Sequence, residues 1–358
     1  MLEPFNIATL EGYGCCYFVL RHDHAAKPGG DVDLARQIAR DAQAAGATVC
    51  VVSAEALPPA LDATDLLFLF NIDRPYEAAI AMARARPEGR ILLYPLHHPV
   101  AGVAKYLGRV GGLKGVLGSL AGKRPDRYEA MVDAAKALRK LDASRLRVAL
   151  SRDRVIAQLI KRCELLVTSE SELAEISASH GAPGHGAWLL PHPVAPYASP
   201  SMSAAPRYIL VSGRIEPRKN QLAALQGLAA MQLRDRGYEI VLAGGKGSDE
   251  GYFRSTIDFA LQHGIIYVSQ LPKPLFFPFV SGATLVVNAS FFEVTSLIDL
   301  YAIENNIPLV TTTHGYYSPS AKLCQVDPQA WGARPTAEIL EAVNTMLAVA
   351  EDRTHIAA

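Results

Sequence analysis

Five cysteines in 358 residues, an odd number scattered at Cys15, Cys16, Cys50, Cys163 and Cys324, form neither a disulfide framework nor a metal-ligand spacing. They read as free thiols in a reducing compartment. No stretch approaches the roughly 20 apolar residues that cross a bilayer. The first residues lack a basic segment followed by an apolar run, so no secretory signal is expected and the protein reads as cytoplasmic. There is no GxxxxGK(S/T) loop, which argues against an ATPase, and no GxGxxG fingerprint. Short-period repeats and low-complexity tracts are absent as well. The formal net charge of zero says nothing by itself about a nucleic-acid partner, and none is expected.

What is present is half hydrophobic, with unexceptional Gly and Pro, as in an ordered globular protein. The length is ample for two domains. Apolar strand patterns at 16–20, 48–52, 65–70, 90–96 and 164–168 alternate with helical stretches. One helix opens at Asp31 and a long charged one covers 128–141. A segment of small residues and prolines, with 196–206 as the linker, interrupts this rhythm. The alternation then restarts with strands at 208–212, 239–243, 265–268, 285–288 and 309–312. Strands apolar nearly throughout belong to parallel sheets covered on both faces. The expected fold class is α/β, with one Rossmann-like domain at 1–195 and another at 207–358.

Two segments carry the chemistry. Val211-Ser212-Gly213-Arg214-Ile215-Glu216-Pro217-Arg218-Lys219-Asn220 puts Arg214 and Lys219 in a turn between a strand and a helix. Ser290-Phe291-Phe292-Glu293-Val294-Thr295-Ser296-Leu297 puts a carboxylate ahead of another helix. In a parallel sheet both turns lie at the carboxyl edge of the strands, where ligands bind. Two cations there can hold a diphosphate, and helix N-termini add N–H donors and positive dipole ends.

This pair of segments resembles the nucleotide-sugar domain of retaining glycosyltransferases of family four, which have the GT-B fold: two Rossmann-like domains facing each other across a cleft. The match runs through Gly213, Arg214, Ile215, Pro217 and Lys219, then through Glu293, Ser296, Leu297, Pro308, Leu309 and Val310. It departs at Tyr301, where the family has a second glutamate that meets the nucleotide ribose. Tyr301 either contacts the ribose in its place or packs into its helix.

The resemblance implies a hexosyl transferase that moves a sugar from a nucleotide-diphosphate donor to a glycan or lipid-linked acceptor, with retention, as in polysaccharide biosynthesis. No metal or other cofactor is expected. Arg214 and Lys219 would stabilise the leaving diphosphate, helped by N–H groups of Thr295, Ser296 and Leu297, and Glu293 would hold the donor sugar. Gly29 and Gly30, with Asp31 as helix cap, resemble the family's first glycine turn, and Gly244 and Gly245 its second. His97 and His98 follow a strand directly, so one of them would orient the donor sugar; a hydrogen-bonded loop anchor is the structural alternative. A non-catalytic GT-B protein that binds nucleotide sugar or glycan, and a GT-B nucleotide-sugar epimerase, are the competing readings.

The neutral chain conceals an asymmetry. Residues 101–165 hold fifteen Lys/Arg against six Asp/Glu, so the remainder carries the balancing excess of acid. Within that region, 103–124 mixes cations (Lys105, Arg109, Lys114, Lys123, Arg124) with bulky apolar residues and glycines. Such a segment suits the anionic inner face of a membrane, as a peripheral contact of the first domain. A solvated basic face on a core helix is the other reading.

Overall fold

The computed structural model describes residues 2–25, 29–86, 88–111, 115–116, 118, 120–121, 125–192, 207–294, 296–317 and 320–356. The proposed linker 196–206 lies outside them. The chain forms two compact units, Met1–Val100 with Leu107–Pro193, and Ala101–Tyr106 with Val194–Ala358.

The first unit is built on β1 (Cys16–Leu20), β2 (Val49–Ser53), β3 (Leu66–Phe70), β4 (Ile91–Tyr94), β5 (Glu164–Val167) and β6 (Ala187–Leu189). Its helices are α1 (Gly30–Ala44), α2 (Tyr76–Arg84), α4 (Pro125–Arg139), α5 (Ala143–Leu150), α6 (Arg152–Arg162) and α7 (Glu170–His180), while α3 (Val100–Leu107) belongs for most of its length to the second unit. All strand pairs are parallel, in the order β2-β1-β3-β4-β5-β6. β3 and β4 are buried at every position, which is why they read as continuous apolar runs. A fork from Arg90 to Glu164, at 2.6 and 2.8 Å, ties β4 to β5, and Trp188 donates to the same carboxylate from β6.

The second unit has β7 (Tyr208–Ser212), β8 (Glu239–Ala243), β9 (Ile266–Val268), β10 (Leu285–Val287), β11 (Leu309–Thr312) and β12 (Leu323–Val326). Its helices are α8 (Gln221–Ala230), α9 (Glu250–Gln262), α10 (Lys273–Ser281), α11 (Leu297–Glu304) and α12 (Ala337–Ile356). The parallel order β12-β11-β10-β7-β8-β9 reverses its direction of winding between β10 and β7. Side-chain alternation sends Ile209, Val211, Ile240 and Leu242 into one apolar layer with α8 and α12. Leu210, Val241 and Val286 go into the opposite layer with α10 and α11.

The edge strands β6 and β12 were not expected from the sequence. Both are short: β6 is only three residues, Ala187-Trp188-Leu189, and β12 is four residues interrupted by Gln325. β4 stops at Tyr94 rather than reaching Leu96, whose φ of 49° turns the chain away. Ala101–Tyr106 groups with the second unit, whereas 103–124 was read as part of the first domain. A Cβ on Gly102 would lie 2.6 Å from the Phe291 carbonyl oxygen, Tyr106 packs on Phe291 and Phe292, and Lys105 pairs with Asp327.

Glycine is required where the turns after β7 and β8 meet. Gly244 has φ of 157°, and a Cβ there would sit 2.0 Å from the Gly213 carbonyl oxygen. Gly30 meets nothing within 4 Å. Gly244→Ala should therefore cost at least about 2 kcal/mol in denaturant unfolding, because backbone must move and φ is unfavourable. Gly30→Ala, in open space at a helix start, should be neutral or slightly stabilising.

Candidate functional site

The winding of the second sheet reverses between β7 and β10, so the loops after these strands diverge and leave a crevice at their carboxyl ends. The first loop is pinned at several points. Ile215 is fully buried, Gln221 Nε2 donates to the Arg214 carbonyl at 2.8 Å, and Asn220 Nδ2 donates to the Pro328 carbonyl at 2.9 Å. A 3-10 turn over Pro217–Lys219 ends at Asn220, whose left-handed φ of 55° starts α8 in a new direction. Arg214 is left exposed, with no ion pair among the described residues.

The second loop is folded by polar side chains. Asn288 Oδ1 accepts from the N–H and hydroxyl of Ser290, at 3.1 and 2.5 Å, and Asn288 Nδ2 donates to Asp299. Backbone N–H groups of Phe291 and Glu293 donate to the carbonyls of Arg218 and His314. This aims Glu293 at Lys219: Oε1 pairs with the ammonium, and Oε2 lies 3.5 Å from the Arg218 guanidinium. Burial pushes the Glu293 carboxyl up, but Lys219 and Arg218 pull harder and bring it down to about 2. Arg218, which sequence reasoning missed as a partner, also pairs with Glu216 at 3.0 Å and donates to the Phe292 carbonyl.

Beside this pair lies a pocket of 230 Å³ lined by Gly213, Arg214, Gly244, Gly245 and the loop after β9. The Lys219 side chain passes 3.9 Å from the Cβ position of Gly213. The structure thus brings Arg214, Lys219, Glu293, Gly213, Gly244 and Gly245 into one region of the second unit.

Other expected residues lie elsewhere or are engaged. Thr295 is outside the described residues. The N–H of Ser296 donates to the Tyr317 hydroxyl at 3.2 Å and is not available to a ligand; Leu297 is the first residue of α11. Tyr301 is wholly buried, with its hydroxyl 2.6 Å from Ser281 Oγ and its ring against Phe277. The ribose role is therefore corrected, because α10 covers this side chain. The buried acid on α11 is Asp299, which accepts from Asn288, Thr311 and Tyr317.

In the first unit, Asp73 receives Nδ1 of His97 at 2.8 Å, and Nδ1 and N–H of His98 at 2.6 and 2.9 Å. His97 is 3 % exposed and packs on His180, so it anchors the loop and cannot meet a sugar. Only His98 is open enough to do so. Asp73 was missed, although its place just past β3 was a legible signal. Gly29 precedes α1 as expected, but Asp31 does not cap the helix. It turns to Arg21, with Nε to Oδ2 at 3.1 Å, and its carboxylate lies over Gly29. A diphosphate at Gly29 and Gly30 would meet that carboxylate.

No protein-family model matches this chain, and no curated protein does. Solved structures do. A sucrose-phosphate synthase from Thermosynechococcus elongatus superposes with a TM-score of 0.60 at 14 % identity, covering 96 % of this chain and 98 % of that one. HepE of Anabaena, solved with UDP, gives 0.56 at 13 % identity over 95 % of each chain. WaaG, a glycosyltransferase involved in lipopolysaccharide biosynthesis, gives 0.55 at 15 % identity over 95 % and 94 %.

The Glu293 pair carries a pH prediction. Its carboxyl moves from 4.5 to about 2 on folding, worth about 3 kcal/mol that is fully present above the unfolded value. This stability is lost as pH falls from 4.5 through about 2. Glu293→Gln should lower stability at neutral pH and flatten the decline across that window in urea titrations. An equally steep decline in the variant would remove Glu293 from the account. Two parallel six-stranded α/β sheets, each in its own Rossmann-like unit, give this chain the GT-B fold of these glycosyltransferases.

Proposed function

We propose that the protein is a nucleotide-sugar-dependent glycosyltransferase whose donor binds at the switch point of the second sheet. The observation that carries this reading is an unpaired cation, Arg214, on a glycine-lined pocket next to the Lys219–Glu293 pair. A diphosphate would lie against the Gly213 turn between Arg214 and Lys219, where fixed charge stabilises the leaving group without reorganisation. Glu293, held ionised, would accept hydrogen bonds from donor-sugar hydroxyls. The anomeric C–O bond to the diphosphate breaks, a C–O bond to the acceptor forms, and the acceptor proton passes to the departing diphosphate. This front-face course, with retention, follows the resemblance to family four. A glycan or lipid-linked molecule is the acceptor class.

Arg214 separates function from stability, because it is exposed and unpaired. Arg214→Ala should leave Tm unchanged and cut turnover of a UDP-sugar donor at least about a hundredfold. Lys219→Ala should lose both activity and stability, since it strips a buried carboxylate of a partner. Unchanged turnover in both variants would sink the assignment, and UDP binding without any transfer or hydrolysis would favour a non-catalytic binding protein.

We also propose a peripheral membrane contact through 103–124. Val116 and Leu120 are 56 % and 69 % exposed there, while Lys114, Lys123 and Arg124 lie outside the described residues. Lys105 leaves the set of membrane cations, because it pairs with Asp327. No helix among the described residues is long and apolar enough to cross a membrane. Each cation near an anionic bilayer contributes about 1 kcal/mol, weakened by salt. Sedimentation should show binding to anionic but not neutral vesicles, reduced when Arg109, Lys114, Lys123 and Arg124 become Gln. A protein that stays in the supernatant at low salt would leave this segment as a solvated face.

A further inference from the structure

The first sheet has a switch point of its own, between β1 and β3, and a pocket of 390 Å³ opens there. The ends of both strands line it, with side chains from α4, α5 and the start of α6, and its size is that of a small-molecule site. The donor machinery described above uses none of it.

Its charges do not balance internally. Six lining side chains are cationic: Arg21, Arg74, Lys136, Lys140, Arg145 and Arg152. Only four are carboxylates, and each is already shared. Asp23 and Asp31 lie on Arg21, at 2.6 and 3.1 Å, and Arg145 lies 3.6 Å from Glu77 and 3.2 Å from Asp142, just outside the lining. Asp133 serves both Lys136 at 3.2 Å and Arg152 at 3.8 Å. Arg74 and Lys140 make no ion pair among the described residues.

Arg152 adds a second, independent observation. Its side chain is 4 % exposed; Nη2 donates to the Asp73 carbonyl at 2.9 Å, Asp133 approaches to 3.8 Å and Glu129 adds a further nearby carboxylate, while Nε has no hydrogen-bond partner among the described residues. A buried guanidinium N–H left without an acceptor is costly unless a ligand oxygen completes it. The two lining cations without an ion pair among the described residues, Arg74 and Lys140, match the charge of a phosphate monoester near neutral pH. Carboxylates such as Glu77 and Asp133, interleaved with these cations, suit sugar hydroxyls.

We propose that this pocket binds a sugar phosphate, with the phosphate held by Arg74, Lys140 and the Arg152 side of the site, and the hydroxyls by Glu77 and Asp133. Cationic groups form the strong, short hydrogen bonds that phosphate recognition uses. That this ligand is the acceptor rests on the transfer reading above; that it binds does not.

Calorimetry on the full chain would compare glucose, fructose and mannose 6-phosphates with glucose and inorganic phosphate. At least one hexose phosphate should bind about tenfold or more tightly than either control. Replacing both exposed cations, Arg74→Gln with Lys140→Gln, should abolish that advantage. If the phosphate is instead carried on a lipid head, the wild type should sediment with phosphatidylinositol 4-phosphate vesicles more than with phosphatidylserine vesicles of equal charge, and the double variant should not. Wild type and double variant behaving alike in both arms would overturn the proposal. A parallel UDP titration reports on the second unit alone, so failure of the donor site is read separately from failure of this one.

Discussion

Glu293, with 9 % of its side chain exposed, is held ionised between Lys219 and Arg218, and the geometry of the second unit's site depends on this contact. The carboxylate and its cations come from loops after different strands, so their pairing fixes the two loops relative to each other at the point where the sheet order reverses. The same contact is an electrostatic store. A carboxylate this buried is tolerated only with its cations in place, and losing one typically costs about 3–5 kcal/mol.

The layers beneath the loop keep that contact in register. Asn288, Ser290, Asp299, Thr311 and Tyr317 form a buried hydrogen-bonded chain linking β10, β11 and α11. Burial pushes the Asp299 carboxyl up despite these donors, which marks it as part of the scaffold rather than a charged ligand group. On the other side, Gly102 allows α3 to approach the Phe291 carbonyl and the Phe292 Cβ more closely than any side chain would permit. The basic segment expected to face a membrane therefore begins as a structural brace, and Lys105 is part of it.

The two units use one topological device with different electrostatics. At the second switch point most charge is neutralised in place, and Arg214 is exposed with no ion pair among the described residues. At the first, Arg74 and Lys140 make no ion pair among the described residues, and the buried Arg152 keeps an unpartnered Nε among them. A rigid scaffold that leaves cations unmatched at a strand edge is prepared for an anion, because the cost of assembling those charges is met on folding rather than on binding.

The sequence alone determined the α/β class, the parallel sheets and the place of the signature turns. Fully buried strands such as β3, β4 and β7 declare themselves as apolar runs, and Gly213, Arg214, Lys219 and Glu293 stand at legible distances from strand ends. The edge strands β6 and β12 were not legible, because three and four residues are too few to set a pattern and Gln325 interrupts the second. Tertiary structure decided which polar residues face a ligand and which face one another. Tyr301 went into the core because α10 packs over it, His97 was buried against Asp73 and His180, and Asp31 turned from the helix end to Arg21. Spacing along the chain places a residue at a strand edge; its partners come from segments far away in sequence, and those partners decide whether its charge is spent or free.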